Sequence, residues 1–86
     1  MKKIYVGNLP FSATEDGLRR IFAERGLVHS VSLVNDRETG RFRGYGFVEI
    51  EDEALASALK LDGKGMDGRP MRVTEAQEEQ EAAAGG

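Results

Sequence analysis

Arg43-Gly44-Tyr45-Gly46-Phe47-Val48-Glu49-Ile50 is the stretch that decides the fold of this 86-residue chain. Aromatic and β-branched residues suit an extended strand, and a strand turns successive side chains to opposite faces. Arg43, Tyr45, Phe47 and Glu49 share one face; Gly44, Gly46, Val48 and Ile50 share the other. The second face is apolar, and its glycines admit closely packed helices. The first displays large aromatics and an arginine where solvent is expected. Rings left in water signal a ligand surface. Flat rings beside a guanidinium suit unpaired nucleic-acid bases and their phosphates.

Working outward, the flanking segments show the same two-residue alternation. Lys3 to Gly7 reads as a first strand, with Ile4 and Val6 inward and Lys3 and Tyr5 outward; Pro10 breaks it. Thr14 is an N-cap, followed by Glu15 and Asp16 at the positive helix start. Leu18, Ile21 and Phe22 form an apolar helical stripe, and Gly26 ends that helix. Gly17 sits early in it without a sequence-level reason. Phe11 is expected to cap the core beside this helix. Val28 to Val34 reads as a second strand, with Val31 and Leu33 inward and Ser30, Ser32 and Val34 outward. A polar loop, 35–41, joins it to the octamer strand. Asp52 or Glu51 caps a second helix carrying Leu55, Ala58 and Leu59. After a turn at 66–69, a fourth sheet strand places Met71 and Val73 inward, Arg72 and Thr74 outward. The order is β-α-β-β-α-β. Only one sheet face carries Ile, Val and Leu, so both helices cover that face and the other is left to solvent.

The octamer resembles the K/R-G-F/Y-G/A-F-V-x-F/Y signature of the RNA recognition motif. Ile50 departs from it, at a position that points to the core. The hexamer Ile4-Tyr5-Val6-Gly7-Asn8-Leu9 is similar to the family's second signature, and the two lie about 40 residues apart, as the family requires. The resemblance covers roughly residues 2–76. It implies an α+β, ferredoxin-like sandwich with a four-stranded antiparallel sheet of strand order 4-1-3-2. The signature strands then lie side by side in the centre, and Tyr5, Tyr45 and Phe47 form one cluster. It also implies the roles: Tyr5 and Phe47 as platforms for two successive bases, Tyr45 beside the ribose between them. The small single-domain family members, bacterial or glycine-rich, are the nearest in form.

Composition sets the remaining limits. The length allows one domain, 1–76, followed by an acidic tail, 77–86. The chain has no cysteine, hence no disulfide or thiolate metal site, and a single histidine, His29, read as a plain polar residue. No metal or cofactor is expected. The start lacks a signal-peptide pattern and no stretch is apolar enough to span a bilayer, so a cytoplasmic protein without a membrane partner is expected. The formal charge of −3 is unusual for an RNA binder. Glu75, Glu78, Glu79 and Glu81 account for it: without these four, eleven acids face twelve basic residues. Non-specific phosphate attraction is therefore weak, and stacking supplies much of the affinity. Thr74-Glu75-Ala76-Gln77 fits a capping box. A helix there would bury only alanines, so the tail is expected to be largely disordered, with fraying helix beside Thr74. As a phosphate mimic, the tail would compete with RNA.

The expected function is single-stranded RNA binding without catalysis, by a monomer, with single-stranded DNA as a further ligand. Arg43 is assigned to phosphate, and Lys3, Arg41 and Arg72 flank the same face. Asn8 either caps its own loop or contacts a base. Glu49 pairs with a nearby basic side chain or accepts a hydrogen bond from an exocyclic amine. Phe42 either extends the stacking surface or covers a core edge. One rival function is a protein-interaction module on the same fold, disfavoured because all three sheet aromatics are present and no large apolar tail residue is there to cover them. The other rival is a small enzyme sharing the element order. The first loop, Asn8-Leu9-Pro10-Phe11, holds no arginine or histidine for it. The Gly44-x-Gly46 pair sits inside a strand and is no dinucleotide fingerprint.

Overall fold

The structure, a computed structural model, describes residues 1–66 and 68–76. Strand β1 (Lys2–Gly7) is followed by α1 (Glu15–Ala23), β2 (Val28–Asn35) and β3 (Phe42–Ile50). A 3-10 turn, Asp52–Ala54, leads into the short α2 (Leu55–Leu59). The small hairpin β4 (Gly65–Met66) and β5 (Arg69–Pro70) precedes β6 (Arg72–Glu75). The four-stranded sheet has the order β2-β3-β1-β6, with β1 antiparallel to β3 and β6, and β2 antiparallel to β3. With β6 as the fourth sheet strand, this is the expected 4-1-3-2. The acidic tail, 77–86, lies outside the described residues.

The alternation read from the octamer sets the core. Ile4, Val6, Val48 and Ile50 are fully buried on one face, where they meet Leu18 and Phe22 of α1, Ala58 of α2 and Met71 and Val73 near the chain's end. Both helices therefore lie on one side of the sheet. Phe42 is half-buried against this cluster, which resolves it as a core edge.

Local chemistry explains the helix starts and close contacts. Thr14 caps α1: its hydroxyl accepts a hydrogen bond from the Gly17 N–H at 3.0 Å. A Cβ on Gly17 would lie 3.2 Å from that same oxygen, so this glycine fits the cap. Gly26 has a different role from the expected helix stop. A Cβ there would collide with Ala54, so it lets the 3-10 turn press against the end of the α1–β2 loop. Neither Glu51 nor Asp52 caps the second helix through its side chain.

Two further expectations are corrected. Phe11 does not cap the core; it is 81% exposed, while Leu9 and Pro10 beside it are buried. The chain turns there (the Ala13 N–H bonds the Pro10 carbonyl), which carries Phe11 outward. The helix start suggested at Thr74 does not form. Thr74 and Glu75 continue β6, paired with Tyr5 and Ile4. The ladder bonds of β6 to β1 outweigh a local cap there.

Candidate nucleic-acid interface

The outer face of the sheet is a grid whose rows run across the strands. One row aligns Ser32, Phe47, Tyr5 and Thr74; the next aligns Ser30, Glu49 and Lys3. Directly opposed residues on neighbouring strands have Cβ atoms about 4.5–5.5 Å apart, so each row is a line of touching side chains. Tyr45 lies one step along β3 from Phe47 on the same face. The three rings close into a triangle. Centroids are 5.7 Å apart for Tyr5–Tyr45, 6.0 Å for Tyr5–Phe47 and 6.2 Å for Tyr45–Phe47. Tyr5 and Tyr45 are tilted by 34°, whereas Phe47 meets both edge-on. Edge-to-face contact at these distances is a favourable ring geometry.

Gly7 shapes the platform. A Cβ at this position would lie 2.5 Å from the Tyr5 hydroxyl and 2.8 Å from the ring itself. The bare glycine thus lets the Tyr5 ring lie along its own strand rather than stand away from it. Gly46 does the equivalent on the inner side, where a Cβ would collide with the Ser32 carbonyl and bring β3 and β2 apart.

Phe47 is more closed than the sequence reading of it as a base platform implies. It lies on the outer face, outside the core cluster, yet is only 8% exposed. Both tyrosine rings pack against it at steep angles, and the Lys3 ammonium sits over the ring, 5.9 Å from its centroid. A cation over an aromatic face is attracted to the ring quadrupole.

The charged residues divide. Lys3 and Glu49 face each other across β1 and β3 beside the rings. Glu49 accepts a hydrogen bond at 2.7 Å donated by the Ser30 hydroxyl. Arg43 and Arg41 are exposed at the end of the sheet, where the β2–β3 loop turns. Asp36 organises that loop. Its carboxylate accepts the Glu38 and Thr39 N–H groups at 2.8 and 3.1 Å and stands 3.9 Å from the Arg43 guanidinium. The Thr39 and Glu38 backbone groups, and then Arg43, hold the Asp36 carboxyl below its ordinary value. Arg72 is drawn to the sheet edge, 3.5 Å from Asp62.

Asn8 links two distant segments. It adopts a left-handed conformation, φ 56°, and its side-chain amide donates to the Pro70 carbonyl at 2.8 Å. That ties the end of β1 to the small hairpin, a longer-range tie than the expected cap of its own loop. The structure thus brings Tyr5, Tyr45, Phe47, Lys3 and Glu49 together, sets Arg41 and Arg43 at one end, and leaves Arg72 and Asn8 engaged elsewhere.

Three contributors were not singled out from sequence: Ser30, Asp36 and Gly7. Ser30 depends on the pairing of β2 with β3, which carries register shifts between Val28 and Ser30 and between Leu33 and Asn35, whereas Asp36 makes local turn bonds to Glu38 and Thr39. No periodicity in the sequence signals those shifts. Gly7 was legible as part of the hexamer, but its purpose is visible only once Tyr5 is placed. Among the described residues, no three histidine, aspartate or glutamate side chains gather as a metal site, and no helix is long and apolar enough to cross a membrane.

Comparison with known proteins adds the following. The family model described as RNA recognition motif matches residues 4–72. A protein of Nostoc sp. named RNA-binding protein RbpE is 49% identical, over 96% of this chain and 88% of its own length. The crystal structure of RNA Binding Protein PG1 superposes with a TM-score of 0.85 at 39% identity, covering 91% of this chain and 96% of that one. The structure of the Rna15 RRM with bound RNA (GU) gives a TM-score of 0.77 at 28% identity, covering 88% and 83%.

Proposed function

The chain belongs to the RNA recognition motif family, and from that premise we propose how it holds its ligand. It binds single-stranded RNA. The observation that carries the mechanism is the triangle of Tyr5, Tyr45 and Phe47 on a sheet face that no helix among the described residues covers. Tyr5, lying flat over Gly7, takes one base. Phe47 takes the next once the Lys3 ammonium swings off its ring. Tyr45 packs against the ribose between them. Arg43 and Arg41 reach the phosphates leaving the sheet at the β2–β3 loop, and Arg72 and Asn8 border the same end of the sheet on the β1–β6 side.

Magnitudes favour a modest binder. Two or three stacked bases contribute about 1–3 kcal/mol each, against the cost of ordering a flexible strand. A dissociation constant of about 1 µM, near −8 kcal/mol, follows. Roughly three neutralised phosphates give a log–log salt slope of about −2. Single-stranded DNA binds to the extent that ring stacking, rather than contact with the 2′-hydroxyl, supplies the affinity. We read residues 1–76 as one monomeric, non-catalytic, cytoplasmic binding domain followed by an acidic tail.

An NMR amide titration with a short random RNA pool at low salt tests this reading. Shifts gathered at Tyr5, Tyr45, Phe47 and the outward positions of β6 are expected. No shifts at millimolar RNA would sink it and turn the exposed rings into a protein-binding surface.

A further inference from the structure

The hydrogen bond from Ser30 to Glu49 fixes a carboxylate beside the rings, and we infer that Glu49, positioned by Ser30, makes this sheet selective for guanine. The inference rests on the proposed use of the sheet face for RNA. Glu49 lies two residues from Phe47 on the same face of β3, about 7 Å along the strand. A base stacked on Phe47 extends its edge toward that carboxylate.

A carboxylate only accepts hydrogen bonds, and it can accept two in parallel. Guanine alone presents two adjacent donors, its N1–H and its N2 amine, on the edge that single-strand readers contact. Cytosine and adenine pair their amine with a neighbouring acceptor nitrogen. Uracil sets its one N–H between two carbonyl oxygens, which the carboxylate repels. The Ser30 hydroxyl takes one position on Glu49 Oε1 at 2.7 Å. An ionised carboxylate has about four such positions, so both oxygens still serve a base. The bond's effect is to hold the carboxylate in one orientation. Lys3, opposite Glu49 in register, completes the pattern. An ammonium has three donors, and one directed at guanine O6 matches the acceptor that stands beside guanine's two donors.

The test uses pentauridine and five pentamers with one guanosine placed at each position in turn, followed by fluorescence anisotropy. One placement is expected to bind on the order of tenfold more tightly than pentauridine, the discrimination of a bidentate pair. Inosine there, which lacks the N2 amine, should lose most of that gain. Glu49→Gln should bring the guanosine-to-uridine ratio near one, and Ser30→Ala should lower it while leaving the charge in place. An unchanged amide spectrum for both variants establishes that they fold. A guanosine gain that survives Glu49→Gln, or no gain over a pentauridine that does shift Tyr5 and Tyr45, overturns the assignment alone. No shift at these residues with any pentamer overturns the sheet as the RNA surface, and this inference with it.

Discussion

Replacing Gly7 by alanine should weaken RNA binding while leaving the fold nearly as stable as before. The new Cβ would sit 2.5 Å from the Tyr5 hydroxyl oxygen and 2.8 Å from two ring carbons. Carbon atoms in good contact are about 3.5–4.0 Å apart, so the far end of the ring must lift by about 1 Å. The ring is free to do so, because the obstacle is the tip of a side chain rather than backbone. The penalty in stability is therefore small. It is offset by the lower unfolded-state entropy of alanine, about 0.4–1 kcal/mol. The penalty in binding is larger: a tilted Tyr5 no longer lies flat to a base, and one stacking contact carries about 1–3 kcal/mol. At 1.4 kcal/mol per factor of ten, that is roughly a 5- to 150-fold rise in Kd. Anisotropy with pentauridine reads the binding, and urea unfolding reads the stability. A double-mutant cycle with Tyr5→Ala isolates the cause, since Gly7→Ala should then add little further loss. Undiminished affinity in Gly7→Ala would refute the reasoning, as would a loss that simply adds to that of Tyr5→Ala.

Other expectations follow from the same geometry. Gly46→Ala places its Cβ against the Ser32 backbone carbonyl, which cannot swing aside. It should cost about 1–3 kcal/mol of stability in urea unfolding; an unaltered midpoint would show that β2 and β3 separate freely. Asp36, with its folded-state pKa lowered from 3.8, stabilises the loop fully above that value, and the contribution is lost as pH falls through the lowered one. The difference in urea midpoint between wild type and Asp36→Asn should therefore shrink with acid below pH 3.8; a difference constant with pH would remove Asp36 as its source. Deleting residues 77–86 removes Glu78, Glu79 and Glu81 and takes the formal charge from −3 to 0. RNA affinity at low salt should rise, and identical affinities would end the idea that the tail competes.

Most of the fold was legible because the octamer and hexamer alternate cleanly. A one-residue slip would expose Ile4, Val6, Val48 and Ile50 together, so the faces could be assigned before any coordinates. Thr14 was legible for a local reason, a side chain bonding three residues ahead within its own turn. What stayed hidden involves contacts between segments far apart in the chain. Gly26 is small because of Ala54, and no pattern in the sequence records that neighbour. Phe11 was misplaced because hydrophobicity alone argued for burial, while the turn at Pro10 aims it at solvent. At the site, the ring positions could be read from sequence. The closure of Phe47 by Lys3 and the orientation of Glu49 by Ser30 could not, since both depend on which residues face each other across strands.

The 5.7 Å approach of Tyr5 to Tyr45 has a practical consequence. The chain has two tyrosines and no tryptophan. All of its tyrosine emission therefore originates within the ring cluster. A nucleobase sliding onto either ring quenches that light directly. Occupancy of the sheet can be followed in the unlabelled protein, in real time, with the fluorophores being the very groups proposed to touch the ligand.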